Sequence, residues 1–140
     1  MKLLSISLAG FSLLTLASCS GTETLTAEEL ADQANAICGE STDKLLEAVG
    51  SIGPLGEDAS DEQYEAFFDA FIEVGDELVN QLDELAAPSA IEEDYAAFIT
   101  LEKDAMSRAK ELGPEILESG TDPFDGFNTL ATKLGLDECA

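Results

Sequence analysis

Apolar residues recur at every third or fourth position through three long stretches of this chain. No stretch alternates apolar and polar residues as a half-buried strand would. That periodicity points to helices packed on helices. The first stretch opens at Thr26. Thr26 and Glu29 have the spacing of a capping box, with Leu25 and Leu30 at the staple positions. Leu30, Ala34, Ile37, Cys38, Ser41, Leu45 and Val49 then fall on one face. The glycines and proline from Gly50 to Gly56 are expected to end this helix.

Ser60 with Gln63 caps a second helix, expected to run to about Ala86. Its apolar face is Tyr64, Phe67, Phe68, Phe71, Leu78, Leu82 and Leu85, and its opposite face carries Glu62, Glu65, Asp69, Glu73, Asp76 and Asp83. Like charges at these spacings cost a few tenths of a kcal/mol per pair, so packing has to hold this helix. After a tight turn at Ala87-Pro88-Ser89, Ser89 and Glu92 are expected to open a third helix. Ile91, Tyr95, Phe98, Ala105, Ala109 and Leu112 face inward on it. Gly113-Pro114 stops that helix, with room for one more turn to Leu117.

A shorter last helix is expected from Asp122, with Pro123 at its first position. Phe124, Phe127, Leu130, Ala131 and Leu134 form its apolar side, and Gly135 is its C-cap, with Leu136 folding back. The three long helices measure roughly 35 to 39 Å at about 1.5 Å per residue. Matched lengths and short connections favour antiparallel neighbours. The expected fold is all-α: an up-down bundle of three long helices plus a short C-terminal helix.

The amino-terminal segment has a different character. Lys2 precedes an apolar run from Leu3 to Leu16, too short for a spanning helix of about 20 residues but suited to an export signal. It ends in a lipobox, Leu16-Ala17-Ser18-Cys19. An ordinary signal peptide cut before Cys19 would want a small residue three positions before the cut, where Leu16 stands. The chain has three cysteines, and lipidating Cys19 leaves Cys38 and Cys139 as an even pair. Residues 1–18 therefore read as a lipoprotein signal peptide, 19–25 as a lipidated tether and 26–140 as the domain. Two acyl signals give durable attachment, which places the protein on the extracytoplasmic side of a cell membrane. Six extended residues from Ser20 to Leu25 reach roughly 20 Å, so the domain sits close over the headgroups.

Cys38 and Cys139 lie 101 positions apart and form no local CxxC motif. In an exported protein the expectation is one disulfide.

Charge narrows the choice of partners. The chain carries 30 acidic and six basic residues, for a net charge of −24. Nucleic acid and anionic lipid surfaces both call for a cationic footprint, which this chain lacks. No basic residue lies between Lys44 and Lys103, whereas Glu47 to Glu102 holds 16 acids. Such a stretch reads first as a solvated acidic face. Otherwise it suits high salt, or it meets a cationic protein or a divalent cation.

The usual catalytic side chains are missing. There is no histidine, so imidazole triads and metal sites are excluded. No thiol is left once the cysteines are acylated or paired. Gly50, Gly53 and Gly56 lack the lysine of a phosphate loop. The expectation is a protein that is not an enzyme and carries no cofactor. Glu57, Asp58, Asp61 and Glu62 cluster before the second helix as weak candidates for a metal such as calcium. They do not match a calcium-loop motif, and acids in a first turn also complement the helix dipole. Tyr64, Phe67, Phe68, Phe71, Phe98, Phe124 and Phe127 have the spacing of core residues rather than of a ligand pocket.

Ala34-Asn35-Ala36-Ile37-Cys38, answered by Gly135-Leu136 and then Cys139, resembles small secreted or lipid-anchored helical proteins of actinobacteria. Those are single-disulfide bundles of unknown activity. The resemblance implies a Cys38–Cys139 bridge and a cell-envelope location, and lends no catalytic residue. The expected function is a membrane-anchored envelope lipoprotein, non-enzymatic, whose acidic helical surface serves interaction or envelope structure. The alternatives are a small-ligand or cation-binding module in the bundle, and an enzyme using carboxylates alone.

Overall fold

A computed structural model describes residues 24–56, 58–117 and 126–140. It contains α1 (Ala27–Ile52), α2 (Asp61–Asp83), α3 (Glu92–Leu112) and α4 (Phe127–Leu134). Short 3-10 turns follow α3, at Gly113–Leu117, and α4, at Asp137–Cys139. Among the described residues there is no strand. The chain is an all-α bundle of three long helices and a short C-terminal one.

Both anticipated capping boxes form. The Glu29 N–H donates to Thr26 Oγ1 at 3.2 Å while the Thr26 N–H donates to Glu29 Oε2 at 2.9 Å. Ser60 and Gln63 repeat the exchange at 3.3 and 3.0 Å. Each box satisfies two of the amide groups that a helix start leaves without partners.

Three boundaries differ from the sequence reading. α1 passes through Gly50 and ends at Gly53, which takes φ +100° ahead of Pro54. A glycine inside a helix weakens it by about 1 kcal/mol but does not stop it, whereas a residue before proline is pushed out of the helical region. α2 ends at Asp83 rather than Ala86, its last turn tightened by the Leu85 N–H donating to Leu82 O. Ser89 does not cap α3. The Ile91 N–H donates to Pro88 O, so Ser89 lies inside a turn, and Ile91 occupies the cap position without a side-chain bond. Glu92, Glu93 and Asp94 fill the first turn instead and complement its dipole. The expected start of the last helix at Asp122, with Pro123 and Phe124, lies outside the described residues.

Paired residues fix the direction of each helix. The Leu25 N–H donates to Ala86 O at one end of α1, and Gln63 Nε2 donates to Ile52 O at the other, so α2 runs back along α1. Lys103 meets Asp83 at 2.8 Å and Lys110 meets Asp76 at 2.6 Å, so α3 reverses along α2. Phe98 stacks on Phe127 at 4.8 Å while Lys133 reaches Asp94 at 2.7 Å, so α4 descends along α3. Gly135 then adopts φ +75° and ψ +24°, and the Leu136 N–H donates to Ala131 O, the expected glycine cap with Leu136 turned inward. The last residues climb α1. Asn35 holds them by donating to Gly135 O at 2.9 Å and accepting from the Glu138 N–H at 3.0 Å. Cys38 and Cys139 are joined, with Cα atoms 5.2 Å apart.

The core is uneven along the bundle. Where four elements meet, Leu30, Ala34, Leu82, Phe98, Ala131 and Leu136 are completely enclosed. Tyr95 stacks on Phe98 and donates its hydroxyl to Leu82 O at 2.7 Å, pairing a carbonyl at the end of α2. Farther from the turn joining α2 to α3, the inward residues Leu78, Phe71 and Tyr64 of α2 are only half-buried, as are Leu45 and Val49 of α1. Leu112, expected to face inward, is 50 % exposed. Among the described residues α4 spans eight positions and packs at one end of the bundle, where Phe127 and Ala131 are buried, and α1, α2 and α3 form the other half.

Candidate functional site

A groove of about 230 Å³ opens between α1 and α2 just beyond the C-terminal turn. Ser41 and Leu45 come from α1, Phe71, Val74 and Leu78 from α2, and Glu138 stands at the rim. The bridge to Cys38 brings Glu138, Cys139 and Ala140 into the lining beside Ser41 and Leu45. The floor is apolar, Ser41 is buried, and the only charged lining residue is an acid. The groove is lined by two hydroxyls, those of Ser41 and Thr42, and one side-chain carboxylate, that of Glu138. What it can do is hold a small molecule with an apolar body.

Glu102 is the most unusual titratable group. It lies on the core face of α3, 5 % exposed, among buried Phe98, Ala105, Met106 and Ala109. Its Oε2 is buried without a hydrogen-bond partner. Burial pushes its carboxyl up to about 7, because a low-dielectric surrounding disfavours the charged form. Its sequence signal is present, since Ile91, Tyr95, Phe98, Ala105 and Ala109 leave one gap in a heptad stripe and Glu102 fills it. The corresponding gap in α2, between Phe71 and Leu78, is Gly75. A Cβ there would stand 2.5 Å from the end of the Met106 side chain of α3, so the missing side chain makes room for Met106.

The scarce cations tie helices together. Lys44 on α1 bridges to Glu40 and across to Glu77 on α2. Lys103 and Lys110 on α3 reach back to Asp83 and Asp76, and Lys133 on α4 reaches Asp94. The base-free α2 is thus clamped from both sides by lysines belonging to its neighbours. These pairs are exposed and individually weak. Glu62, Glu65, Asp69 and Glu73 stand exposed outside these pairs.

Of the residues singled out from sequence, Cys38 and Cys139 are brought together, and Cys19 and Glu57 lie outside the described residues. Asp58, Asp61 and Glu62 are exposed, and Asp61 and Glu62 sit in the first turn of α2. Among the described residues no group of three acidic or sulfur side chains is arranged to hold a metal ion. The aromatics divide. Tyr95, Phe98 and Phe127 fill the core, Phe71 lines the groove, Phe67 stacks on Phe71, and the Tyr64 hydroxyl donates to Gly56 O. Phe124 lies outside the described residues.

This distribution predicts a nonspecific ionic response. Thermal melts in sodium and calcium chloride matched for ionic strength should rise together, because screening acts through the Debye length whatever the cation. A saturable shift with millimolar calcium alone would instead reveal a bound ion, worth about 2.7 kcal/mol at 100 times its dissociation constant.

No described helix is long and apolar enough to cross a membrane. Comparison with protein-family models, curated proteins and solved structures found no match.

Proposed function

We propose that the chain is an exported lipoprotein, held at the extracytoplasmic face of a membrane by acylated Cys19. Its acidic helical bundle serves as a non-enzymatic interaction module for a cationic partner. The lipobox and the odd cysteine support the anchor. The observation that carries the interaction reading is the use of the lysines. Lys44, Lys103, Lys110 and Lys133 are consumed in ties between or along helices. Glu62, Glu65, Asp69 and Glu73 are left facing solvent on one side of α2. A surface of one sign raises the encounter rate with oppositely charged partners. Helix α1 begins at Ala27, eight positions after Cys19, and Gln63 pairs with Ile52 at its other end, so these acids lie towards the end of the bundle away from the tether.

Cys19→Ala should abolish acylation and release the protein from membranes into the soluble fraction. Intact-mass analysis of membrane-extracted protein gives the direct reading. Wild-type protein beginning at an acylated Cys19 is the expected result, and an unmodified residue 19 or a retained leader would overturn the anchor. Crosslinking in intact cells tests the partner: neighbours captured through the α2 face should be basic at the contact.

A further inference from the structure

We propose that the groove between α1 and α2 binds a small alkylammonium ion. Its chain lies on Leu45, Phe71, Val74 and Leu78, and its charged head sits at the Glu138 rim. This ligand is separate from any protein partner of the acidic surface, and the site needs neither the anchor nor that surface to be correct.

Size, polarity and charge lead to the same chemistry. The groove holds about 230 Å³, room for a small organic molecule of several non-hydrogen atoms. The side chains of its floor are aliphatic or aromatic and half-buried. They gain from covering by an apolar body, which selects against small hydrated ions. No lysine or arginine lines it. The nearest lysine in α1, Lys44, is engaged by Glu40 and Glu77. An anionic ligand therefore finds no counter-charge, while a cation finds Glu138 at the rim and the field of a chain with net charge −24. A primary amine on about six carbons meets all three requirements, and its ammonium donors suit the Glu138 carboxylate and the Thr42 hydroxyl, which both line the groove.

The test titrates the full chain with methyl-, butyl-, hexyl- and octylammonium, alongside 1-hexanol and hexanoate. It is read by calorimetry and by chemical-shift mapping at about 0.15 M salt, where long-range attraction is screened. Hexylammonium should bind saturably with one site. Affinity should rise about threefold to fourfold per methylene, the increment expected from apolar burial, and level off near six carbons when the groove is full. Hexanoate should not bind, and hexanol should bind at least fivefold more weakly. Val74→Trp should fill the groove and abolish binding with the helical content unchanged. Glu138→Gln should bring hexylammonium down towards hexanol while leaving hexanol where it was. Equal binding of methyl- and hexylammonium would reduce the effect to surface charge. Hexanol as tight as hexylammonium would remove the cation. No saturable binding, or shifts mapped away from the groove, would remove the site. Any of the three overturns the proposal.

Discussion

Glu102→Gln should stabilise the bundle at pH 8 by about 2 to 3 kcal/mol and leave it nearly unchanged at pH 4. The folded carboxyl titrates at about 7 against an ordinary value of 4.5, raised by burial. The folded state therefore holds a proton that the unfolded chain releases. Stability from this group is fully present below pH 4.5, declines as pH rises through the window up to about 7, and is level above it. A shift of that size corresponds to at most about 3.4 kcal/mol at 1.36 kcal/mol per unit. Partial hydration on ionisation reduces the figure. The charged groups on neighbouring elements do not reverse the sign. On α2, Asp76 and Asp83 are held by Lys110 and Lys103, and on α4, Lys133 is held by Asp94. Glu115 in the turn after α3 is exposed.

The chain has 30 acidic residues, so absolute stability across pH does not report Glu102 alone. The decisive quantity is thus the difference between wild type and variant in urea melts across pH 4 to 8. That difference should open between pH 4.5 and 7. Glu102→Leu, which also removes the unpaired oxygen, should gain at least as much at pH 8. Parallel curves for wild type and glutamine variant would show that Glu102 is ionised at little cost.

The contrast between Glu102 and its neighbours shows how much of this molecule is legible in the sequence. Helix starts are local chemistry. The Thr26–Glu29 and Ser60–Gln63 boxes need only residues three apart, and both form where the spacing places them. The glycine cap at Gly135 and the inward Leu136 are equally local. Ser89 has the same spacing to Glu92 and fails, because Pro88 engages Ile91 in a turn first. The burial of a polar residue is not local. A stripe defined by its apolar residues gives no place to Glu102, although Glu102 occupies it. The groove was illegible for a related reason. Leu45, Phe71 and Leu78 have core spacing, and only the packing of the assembled helices decides that they line a surface concavity instead. Pairing partners of lysines more than 20 positions away, such as Lys110 with Asp76, likewise depend on the register of the assembled helices.

Removing the Cys38–Cys139 bridge should cost about 4 kcal/mol and lower the melting temperature by roughly 15 °C. The loop it closes spans 101 positions, long enough for the chain-entropy contribution to reach about 4.7 kcal/mol. Native contacts argue that the loss acts on the unfolded chain more than on the folded one. Asn35 still grips Gly135 O and the Glu138 N–H without the bridge, and Leu136 stays enclosed in the core. The Cys38→Ala/Cys139→Ala protein should therefore keep its helical content and aromatic packing at 25 °C while melting early. Alanine is the appropriate replacement because Cys38 is 3 % exposed and a serine would bury an extra hydroxyl. Adding Asn35→Ala should then matter far more in the bridge-free protein than in the bridged one, where the disulfide already holds the C-terminal turn to α1. If the double-alanine protein melts within a few degrees of wild type, the bridge contributes little, and the core around Phe98 and Leu136 must supply the stability by itself.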